Sequence, residues 1–252
     1  MGIVQSRNLM AEMSLGGMAG ALERAVDEAV RSSWTFPEFL DVLLQAEHEH
    51  RRRRKAESRV KASKLKQQSS FEDFDYSAKR DITKAQLREL ASLAWLDKGR
   101  PLILIGQTGV GKTYLAQAVG LQACAVGKSV LFMSVSTLLE NQTVARSLGQ
   151  YLKFRDKLVK VDLLILDDFG MRKFNSMEAE DLREILEERS YGKSTVITTQ
   201  LPLKHWPEVL PDPVIADAII DRLEGLSVEI NITGESYRKV KAKKLDSKKD
   251  DK

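Results

Sequence analysis

Cysteine is almost missing from this sequence: Cys124 is the only one in 252 residues. A single thiol excludes an internal disulfide, and its place inside a helix-forming segment favours a small buried side chain over a metal ligand. Long apolar runs are missing as well. No segment approaches the roughly 20 apolar residues of a membrane span, and residues 1–18 lack the apolar stretch of a signal peptide. We therefore expect a soluble, cytoplasmic protein that has no membrane partner.

The chain does have enough apolar residues for a packed core, since 42% of its residues are hydrophobic. Its length fits one large α/β domain with a small appendage. Helical periodicity over residues 20–31 and 36–50 predicts that the appendage is a small all-helical N-terminal domain, residues 1–66. Thr35 is expected to cap the second of these helices, with Pro37 in its first turn.

The rest of the chain alternates short apolar runs with helical patterns, which predicts a doubly wound, five-stranded parallel sheet. The first strand is expected just before Gly106, and the others at 129–134, 162–167, 194–200 and 227–232. Helices are expected at 82–96 and 178–190, residues 136–157 are expected to be mainly helical, and a further helix is expected to end at 223. We assign the sheet to residues 101–240, between a linker that ends in a helix (67–100) and a basic, disordered tail (241–252).

The first apolar run leads directly into the pattern Gly-x-x-x-x-Gly-Lys-Thr. A strand–loop–helix motif of this kind binds phosphates, because the glycines let backbone N–H groups converge and the helix N-terminus adds its positive dipole end. Lys112 is expected to reach the β- and γ-phosphates, and the Thr113 hydroxyl to ligate Mg²⁺. The alternative, a glycine-rich turn that binds nothing, is disfavoured by the flanking strand and helix. The predicted nucleotide-binding residues are Gly106, Gln107, Thr108, Gly109, Val110, Gly111, Lys112, Thr113 and Tyr114.

A second apolar run ends in the two carboxylates Asp167 and Asp168. Nucleotide sites lie at the carboxyl ends of parallel strands, so Asp167 is expected beside Thr113, where it would hold Mg²⁺ through water. Asp168 is predicted to orient or deprotonate the attacking water. Solvated acids at an ordinary strand end are the alternative, which the preceding phosphate loop makes less favourable. Together the two motifs predict a site that hydrolyses nucleoside triphosphates.

Three further polar residues are candidates for the same chemistry. Gln200 follows the fourth strand, where a side-chain amide could position the water or sense the γ-phosphate. Arg222 could act in trans on the nucleotide of a neighbouring subunit; its alternative is an ion pair with Asp221 or another nearby acid. Arg238 lies past the last strand and could fold back on the phosphates.

The net charge of +4 is unevenly distributed along the chain. A basic run spans residues 51–66, and the C-terminal tail is rich in lysine. Such clusters suit a polyanion, and a helix that is basic around much of its surface needs water or an anionic partner on nearly every side. We expect the run to contact duplex DNA; a solvated helix face is the alternative, and we prefer it for the tail. The five candidates for DNA contact are Arg51, Arg52, Arg53, Arg54 and Lys55.

These motifs resemble the IstB family, the helper ATPases of insertion-sequence transposition, and are similar to the DnaC helicase loaders; both groups are AAA+ ATPases. The resemblance covers essentially the whole chain and implies that Gln200 is a sensor-1 residue, Arg222 an arginine finger and Arg238 a sensor-2 arginine. It is carried by Gly17-Met-Ala-Gly-Ala-Leu, Phe71-Glu-Asp-Phe-Asp, Leu164-Ile-Leu-Asp-Asp, Ile220-Asp-Arg-Leu and Gly234-Glu-Ser-Tyr-Arg.

The chain departs from the AAA+ pattern in two places. Asp168 stands where AAA+ proteins have glutamate, and the shorter side chain reaches less far towards water, so turnover is expected to be slow or to depend on assembly. Only about 20 residues follow the last strand, too few for a helical C-terminal lid domain. Both departures suit a switch better than a motor.

The resemblance therefore implies an ATP hydrolase that uses ATP and Mg²⁺ and self-associates into ATP-bridged oligomers. It would assemble on double-stranded DNA, remodel it, and recruit or stimulate a cognate transposase. A helicase loader is the alternative from another class, since it would share the whole ATP site but bind a replicative helicase through its N-terminal domain. A metabolic P-loop kinase is a third reading, for which no acceptor site is evident.

Overall fold

A computed structural model describes residues 2–66, 69–75, 81–225 and 227–237. In these ranges the helices are α1 (Ile3–Glu12), α2 (Gly16–Ser32), α3 (Phe36–Ser63), α4 (Lys84–Ser92), α5 (Ala94–Asp97), α6 (Lys112–Ala125), α7 (Val135–Ser147), α8 (Tyr151–Lys160), α9 (Ser176–Arg189), α10 (Pro213–Leu223) and a 3-10 helix (Leu203–Glu208). The strands are β1 (Leu102–Gly106), β2 (Val130–Ser134), β3 (Leu163–Phe169), β4 (Ser194–Thr199) and β5 (Val228–Ile232). The chain divides into two compact units, Met1–Ser58 and Arg59–Lys252.

The first unit is helical, as predicted. Thr35 caps α3, because its hydroxyl accepts from the Glu38 N–H (3.5 Å) while the Glu38 carboxylate accepts from the Thr35 N–H (2.7 Å). The helix over residues 36–50 continues through most of the basic run, where a helix was also expected, and ends at Ser63; arginine and lysine are good helix formers. The small apolar core of this unit consists of Ala21, Leu22, Ala25 and Leu43.

The second unit contains the predicted five-stranded parallel sheet, with strand order β2-β3-β4-β1-β5. Residues that alternate along each strand supply two apolar clusters, one on each face of the sheet. Helices α4, α5 and α6 cover one face, and α7 to α10 cover the other. This doubly wound arrangement aligns the carboxyl ends of β1, β3 and β4 along one edge, where ligands bind in such folds.

Two predicted boundaries need correction. The helix expected at 82–96 is two helices, because Leu93 adopts a left-handed conformation (φ 57°) that turns Trp95 into the core. Residues 136–157 are mainly helical, as expected, with a break at Gly149 (φ 66°) between α7 and α8. The strand expected to end at Asp167 continues to Phe169, whose buried ring stacks on Trp206 at 3.9 Å.

A buried arginine joins three elements near the amino ends of the strands. Arg189, the last residue of α9, is only 1% exposed. Its guanidinium donates to the carbonyl oxygens of Leu158 (2.7 Å) and Val161 (2.9 Å) and to the Thr195 hydroxyl (2.9 Å). These bonds satisfy carbonyl groups at the end of α8 that the helix leaves unpaired.

Across the described residues no helix is both long and apolar enough to cross a lipid bilayer.

Candidate active site

The predicted phosphate loop connects β1 to α6, and its backbone requires glycine. Gly109 has a φ of 86°, and a Cβ at this position would overlap the Ser236 side chain. A Cβ at Gly106 would overlap the carbonyl oxygen of Ile232. The loop therefore packs against the last strand and the segment that follows it, at distances that only glycine permits.

Lys112 lies at the start of α6 with its side chain largely buried. Its ammonium donates to the carbonyl oxygens of Gly106 (2.8 Å) and Gln107 (2.9 Å). The loop thus holds the positive charge at the helix N-terminus, where backbone N–H groups and the helix dipole already favour an anion.

Thr113 and Asp167 come together although 54 positions separate them in sequence. The Thr113 hydroxyl lies 2.9 Å from one carboxylate oxygen of Asp167 and 3.0 Å from the other, and the Thr198 hydroxyl donates to the same carboxylate at 2.5 Å. Burial raises the pKa of Asp167, and the neighbouring Asp168 adds to this shift, against the opposing hydrogen bonds and Lys112. The site therefore holds a costly negative charge that a cation would stabilise.

This pair of oxygen ligands fits Mg²⁺, which binds few protein ligands and keeps water or phosphate oxygens as the others. Among the described residues no group of three His, Cys, Asp or Glu side chains is placed to hold a metal. A cation at Thr113 and Asp167 would accordingly take its remaining ligands from a nucleotide and from water.

Asp168 is the one exposed residue of β3, and the strand is irregular at this point. The register with β4 shifts between Leu166 and Phe169, and Asp168 adopts a left-handed conformation (φ 58°). Its N–H donates to the Thr198 hydroxyl at 2.9 Å. Aspartate tolerates this conformation better than most residues with a side chain. The bulge thus turns the carboxylate away from the core and towards the cavity that follows.

A cavity of about 390 Å³ lies over the phosphate loop, a volume in the range of small-molecule sites. Lys112, Asp168 and Gln200, three of the four predicted catalytic residues, all line it. Gln200 follows β4 and its amide lies 3.2 Å from the Met171 sulfur. The predicted residues Gly106, Gln107 and Val110 belong to the loop but not to the lining. The complete lining is Asp73, Phe74, Asp75, Thr108, Gly109, Gly111, Lys112, Thr113, Tyr114, Asp168, Met171, Gln200 and Tyr237.

Sequence reasoning missed the part of the lining that comes from residues 73–75, Met171 and Tyr237. The aromatic and acidic residues at 71–75 were a signal, because such residues are unusual in a linker that only connects two domains. Their role depends on a turn that brings them against α6, which no local pattern encodes.

The sequence profile of the family described as IstB-like ATP binding protein matches residues 8–245. The chain belongs to this family. A Sinorhizobium fredii protein named as an insertion sequence ATP-binding protein is 38% identical over 92% of this chain and 95% of its own length. A Mycobacterium tuberculosis protein, named as an ATP-binding protein in an insertion sequence, is 35% identical over 92% of this chain and 93% of its own length.

Solved structures show the same fold. The crystal structure of DnaI has a TM-score of 0.57 with 24% identity, and the match covers 66% of this chain and 92% of that chain. This IstB-like protein therefore shares its fold with DnaI over 66% of the chain.

Arg222, the fourth predicted catalytic residue of the IstB-like chain, does not lie in the cavity. It belongs to the last turn of α10 and lines a small pocket with Gly99 and Pro101, at the amino end of β1. Its guanidinium pairs with Asp221 (2.9 Å) and Glu187 (3.4 Å), which is the ion-pair alternative. Because β1 separates this position from the phosphate loop, Arg222 cannot reach the nucleotide of its own subunit.

Arg238 lies outside the described residues, as do the predicted disordered tail and the region in which a lid would follow. The chain just before Arg238 returns to the phosphate loop: the N–H of Tyr237 donates to the Gly109 carbonyl oxygen at 2.9 Å. Tyr237 itself lines the cavity.

Most of the basic run of the IstB-like chain lies on α3, and its first five residues are all exposed. Arg51 pairs with Glu47 at 2.6 Å and Arg53 with Glu57 at 3.1 Å. The other three, Arg52, Arg54 and Lys55, form no ion pair within the described part of the chain.

Proposed function

We propose that this IstB-like protein is an ATP hydrolase whose ATP-bound subunits assemble on duplex DNA, remodel it, and recruit or stimulate the transposase of its insertion sequence. The observation that carries the proposal is the convergence of Lys112, Thr113, Asp167, Asp168 and Gln200 at one sheet edge. These residues converge in a chain that matches its relatives over 95% and 93% of their own length, and those relatives are named as insertion sequence ATP-binding proteins.

In this proposal the phosphate loop binds the triphosphate, and Lys112 exchanges its two carbonyl partners for the β- and γ-phosphate oxygens. Thr113 and Asp167 hold Mg²⁺, which when bound neutralises charge on the phosphates. The Asp168 carboxylate accepts a hydrogen bond from the attacking water, and the Gln200 amide orients that water towards the γ-phosphate. Hydrolysis then resets the assembly.

The nucleotide also joins subunits in this proposal. Arg222 lies at the sheet edge opposite its own phosphate loop, so a neighbouring subunit is the place where it can stabilise charge that develops on the phosphates. Its ion pairs with Asp221 and Glu187 are partly exposed, and such pairs contribute little free energy. Contact with a neighbour's triphosphate can therefore replace them. Arg238, which follows the chain that returns to Gly109, is proposed to bind the phosphates in cis.

For contact with DNA we propose the basic run of α3, from Arg51 to Lys55. Arginine and lysine on an exposed helix bind phosphate oxygens without reading base sequence. Arg52, Arg54 and Lys55, which form no ion pair within the described part of the chain, can bind phosphates without first breaking such a pair there.

A helicase loader remains the second candidate, since the solved structure of the DnaC helicase loader has the same fold, with a TM-score of 0.55. The coverage of the matches favours a transposition helper. The DnaI match covers 66% of this chain, whereas the insertion-sequence relatives are similar over 92%, which includes much of the helical first unit. The helical unit is where the two functions would differ, because it carries the DNA contacts in one and the helicase contacts in the other.

Duplex-DNA binding tests the proposal, measured with ATP, with ADP and with a non-hydrolysable ATP analogue while particle size is followed. We expect large DNA-bound particles with ATP or the analogue and not with ADP. The control is Lys112→Ala, which should form none of them. Tight ATP binding without DNA association in any state would contradict the transposition helper and favour a protein partner.

A further inference from the structure

We propose that Tyr114 is a positioning residue that sets the affinity for the base and ribose of ATP. Its phenol fixes residues 69–75, here called the wall segment, against the nucleotide cavity. This inference rests on the proposed ATP site and concerns the part of it that does not touch phosphate.

Two hydrogen bonds join Tyr114 to the wall segment. The Ser70 N–H donates to the phenol oxygen at 3.1 Å, and the phenol donates to the Ser70 carbonyl oxygen at 2.9 Å. One hydroxyl thus satisfies both backbone groups of a partly buried residue. Loss of the phenol oxygen would leave these two groups without their partner, so the hydroxyl contributes more than one ordinary hydrogen bond.

The wall segment is organised as a turn. The Ser70 hydroxyl donates to the Asp73 carboxylate (2.8 Å) and accepts from the Asp73 N–H (3.0 Å). Phe74, with its side chain 4% exposed, packs beside the Tyr114 ring at 6.2 Å between centroids. Because the turn is bonded within itself, the Tyr114 phenol at one end sets where Asp73, Phe74 and Asp75 line the cavity.

The position of the wall segment assigns it to the base and ribose. The phosphate loop, Lys112 and Thr113 form the phosphate end of the cavity, and Asp168 and Gln200 form the end at which hydrolysis would occur. Apart from Met171, the rest of the lining consists of residues 73–75, Tyr114 and Tyr237. A nucleotide with its phosphates on the loop therefore has its base and ribose beside the wall segment.

The sequence position of Tyr114 links the two ends of the site. It directly follows Thr113 in the first turn of α6. The first turn of α6 therefore places Thr113, the proposed Mg²⁺ ligand, at the phosphate end of the cavity, and binds the wall segment through the Tyr114 phenol. The phenol is a rigid connection between the phosphate end and the base end.

The test compares Tyr114→Phe with the unchanged protein, using ATP and inorganic tripolyphosphate as probes in the presence of Mg²⁺. Tripolyphosphate occupies the phosphate end without a base, so it reports the loop alone. We expect the variant to bind ATP about 3- to 10-fold more weakly, as for the loss of one or two hydrogen bonds. Tripolyphosphate affinity should stay unchanged, and KM for ATP should rise while kcat does not fall. Phe74→Leu, which alters the wall segment directly, should show the same selective loss.

Gln117→Leu is the matched control. Its side chain oxygen accepts from the Lys66 N–H at 3.1 Å, one turn further along α6, and it does not line the cavity. This variant loses a similar contact between α6 and the chain before the wall segment, and should bind ATP as the unchanged protein does.

Three results would overturn the inference. Tyr114→Phe with unchanged ATP affinity would show that the wall segment needs no phenol. Equal loss of ATP affinity in Tyr114→Phe and Gln117→Leu, or equal loss of tripolyphosphate affinity, would show a general loosening of the fold. Unchanged protein that binds neither ATP nor tripolyphosphate would instead refute the proposed ATP site itself, so the two failures are distinguishable.

Discussion

The Thr113 hydroxyl lies 2.9 Å from a carboxylate oxygen of Asp167, inside a site whose burial raises the pKa of that carboxyl. When folding raises the pKa of an acid, the protonated acid favours the folded state at low pH. This contribution to the stability of the folded protein is lost as the pH rises through the pKa of the acid in the folded state. At neutral pH the Asp167 charge therefore destabilises the nucleotide-free protein. Binding sites commonly keep a charge that destabilises the ligand-free protein, because the same charge binds the ligand.

Asp167→Asn should consequently stabilise the nucleotide-free protein and abolish the part of ATP binding that depends on Mg²⁺. A gain of about 1 kcal/mol corresponds to a rise in Tm of about 2–4 °C for a chain of this size. Thermal unfolding with ATP, with and without Mg²⁺, measures both effects. A lower Tm without nucleotide, or an unchanged response to Mg²⁺ with ATP, would contradict the assignment.

Asp168→Asn should lower kcat by about 100-fold or more, the usual contribution of a general base, and leave ATP affinity within about twofold. Asparagine also tolerates the left-handed backbone at this position (φ 58°), so the bulge should persist. Steady-state hydrolysis and ATP titration measure the two quantities. Asp168→Glu is the informative companion, since it restores the longer AAA+ side chain at some cost in backbone strain. Equal kcat in the asparagine variant and the unchanged protein would remove Asp168 from the mechanism.

Arg222→Ala should abolish assembly-stimulated hydrolysis while ATP binding to isolated subunits stays intact, because Arg222 lies away from its own cavity. Mixing separates action in trans from a structural role. Lys112→Ala subunits keep Arg222 and Arg222→Ala subunits keep the phosphate loop, so a mixture should hydrolyse ATP although neither variant does alone. A mixture as inactive as its components would argue against an arginine that acts between subunits.

The double variant Arg52→Ala, Arg54→Ala should weaken DNA binding and lower the salt dependence of the binding constant. Each lost phosphate contact reduces the slope of log K against log salt by about 0.9. The matched control is Arg24→Ala, Arg31→Ala, which removes the same charge from exposed positions on α2. Identical slopes for the two double variants would mean that only net charge matters and that the run on α3 makes no specific contact.

Asp162 predicts a pH dependence of stability. Burial opposes its ionisation, but hydrogen bonds from Lys193 and Ser129 outweigh it and hold the pKa of Asp162 at about 2, below the ordinary 3.8. A lowered acid pKa contributes stability that is present above the ordinary value and lost as the pH falls from 3.8 to about 2. Because the pair is partly exposed, its contribution is about 1 kcal/mol after solvent screening.

Chemical denaturation of Asp162→Asn and of the unchanged protein, from pH 7 to pH 2, measures this contribution. The difference in the free energy of unfolding should be largest at neutral pH and should vanish near pH 2. Asp217→Asn, at an exposed position on α10, is the control and should show no such difference. A difference for Asp162→Asn that stays constant with pH would rule out the carboxylate charge as its source.

The sheet and the phosphate end of the site were predictable because their signals are local. Strands β1, β2 and β3 appeared as short apolar runs, and the glycine pattern stands directly between β1 and α6. Asp167 was expected beside Thr113 from the rule that parallel strands align their carboxyl ends, and the two are hydrogen-bonded. The errors at Leu93 and at the end of β3 arose where packing overrode the pattern that was used to set a boundary.

The sequence by itself determined the local groups of the candidate site: a glycine-rich phosphate loop, the Thr113 hydroxyl, and the two carboxylates of Asp167 and Asp168. These groups follow from motifs of about eight residues, whose backbone geometry depends on their own glycines and strand ends. Only the tertiary structure decided which distant segments complete the site. The Tyr114 phenol brings residues 69–75 to one wall, the Gly109 carbonyl binds the chain before Arg238, and α10 carries Arg222 to the opposite edge. Those placements depend on how helices pack across the sheet, so no local pattern contains them.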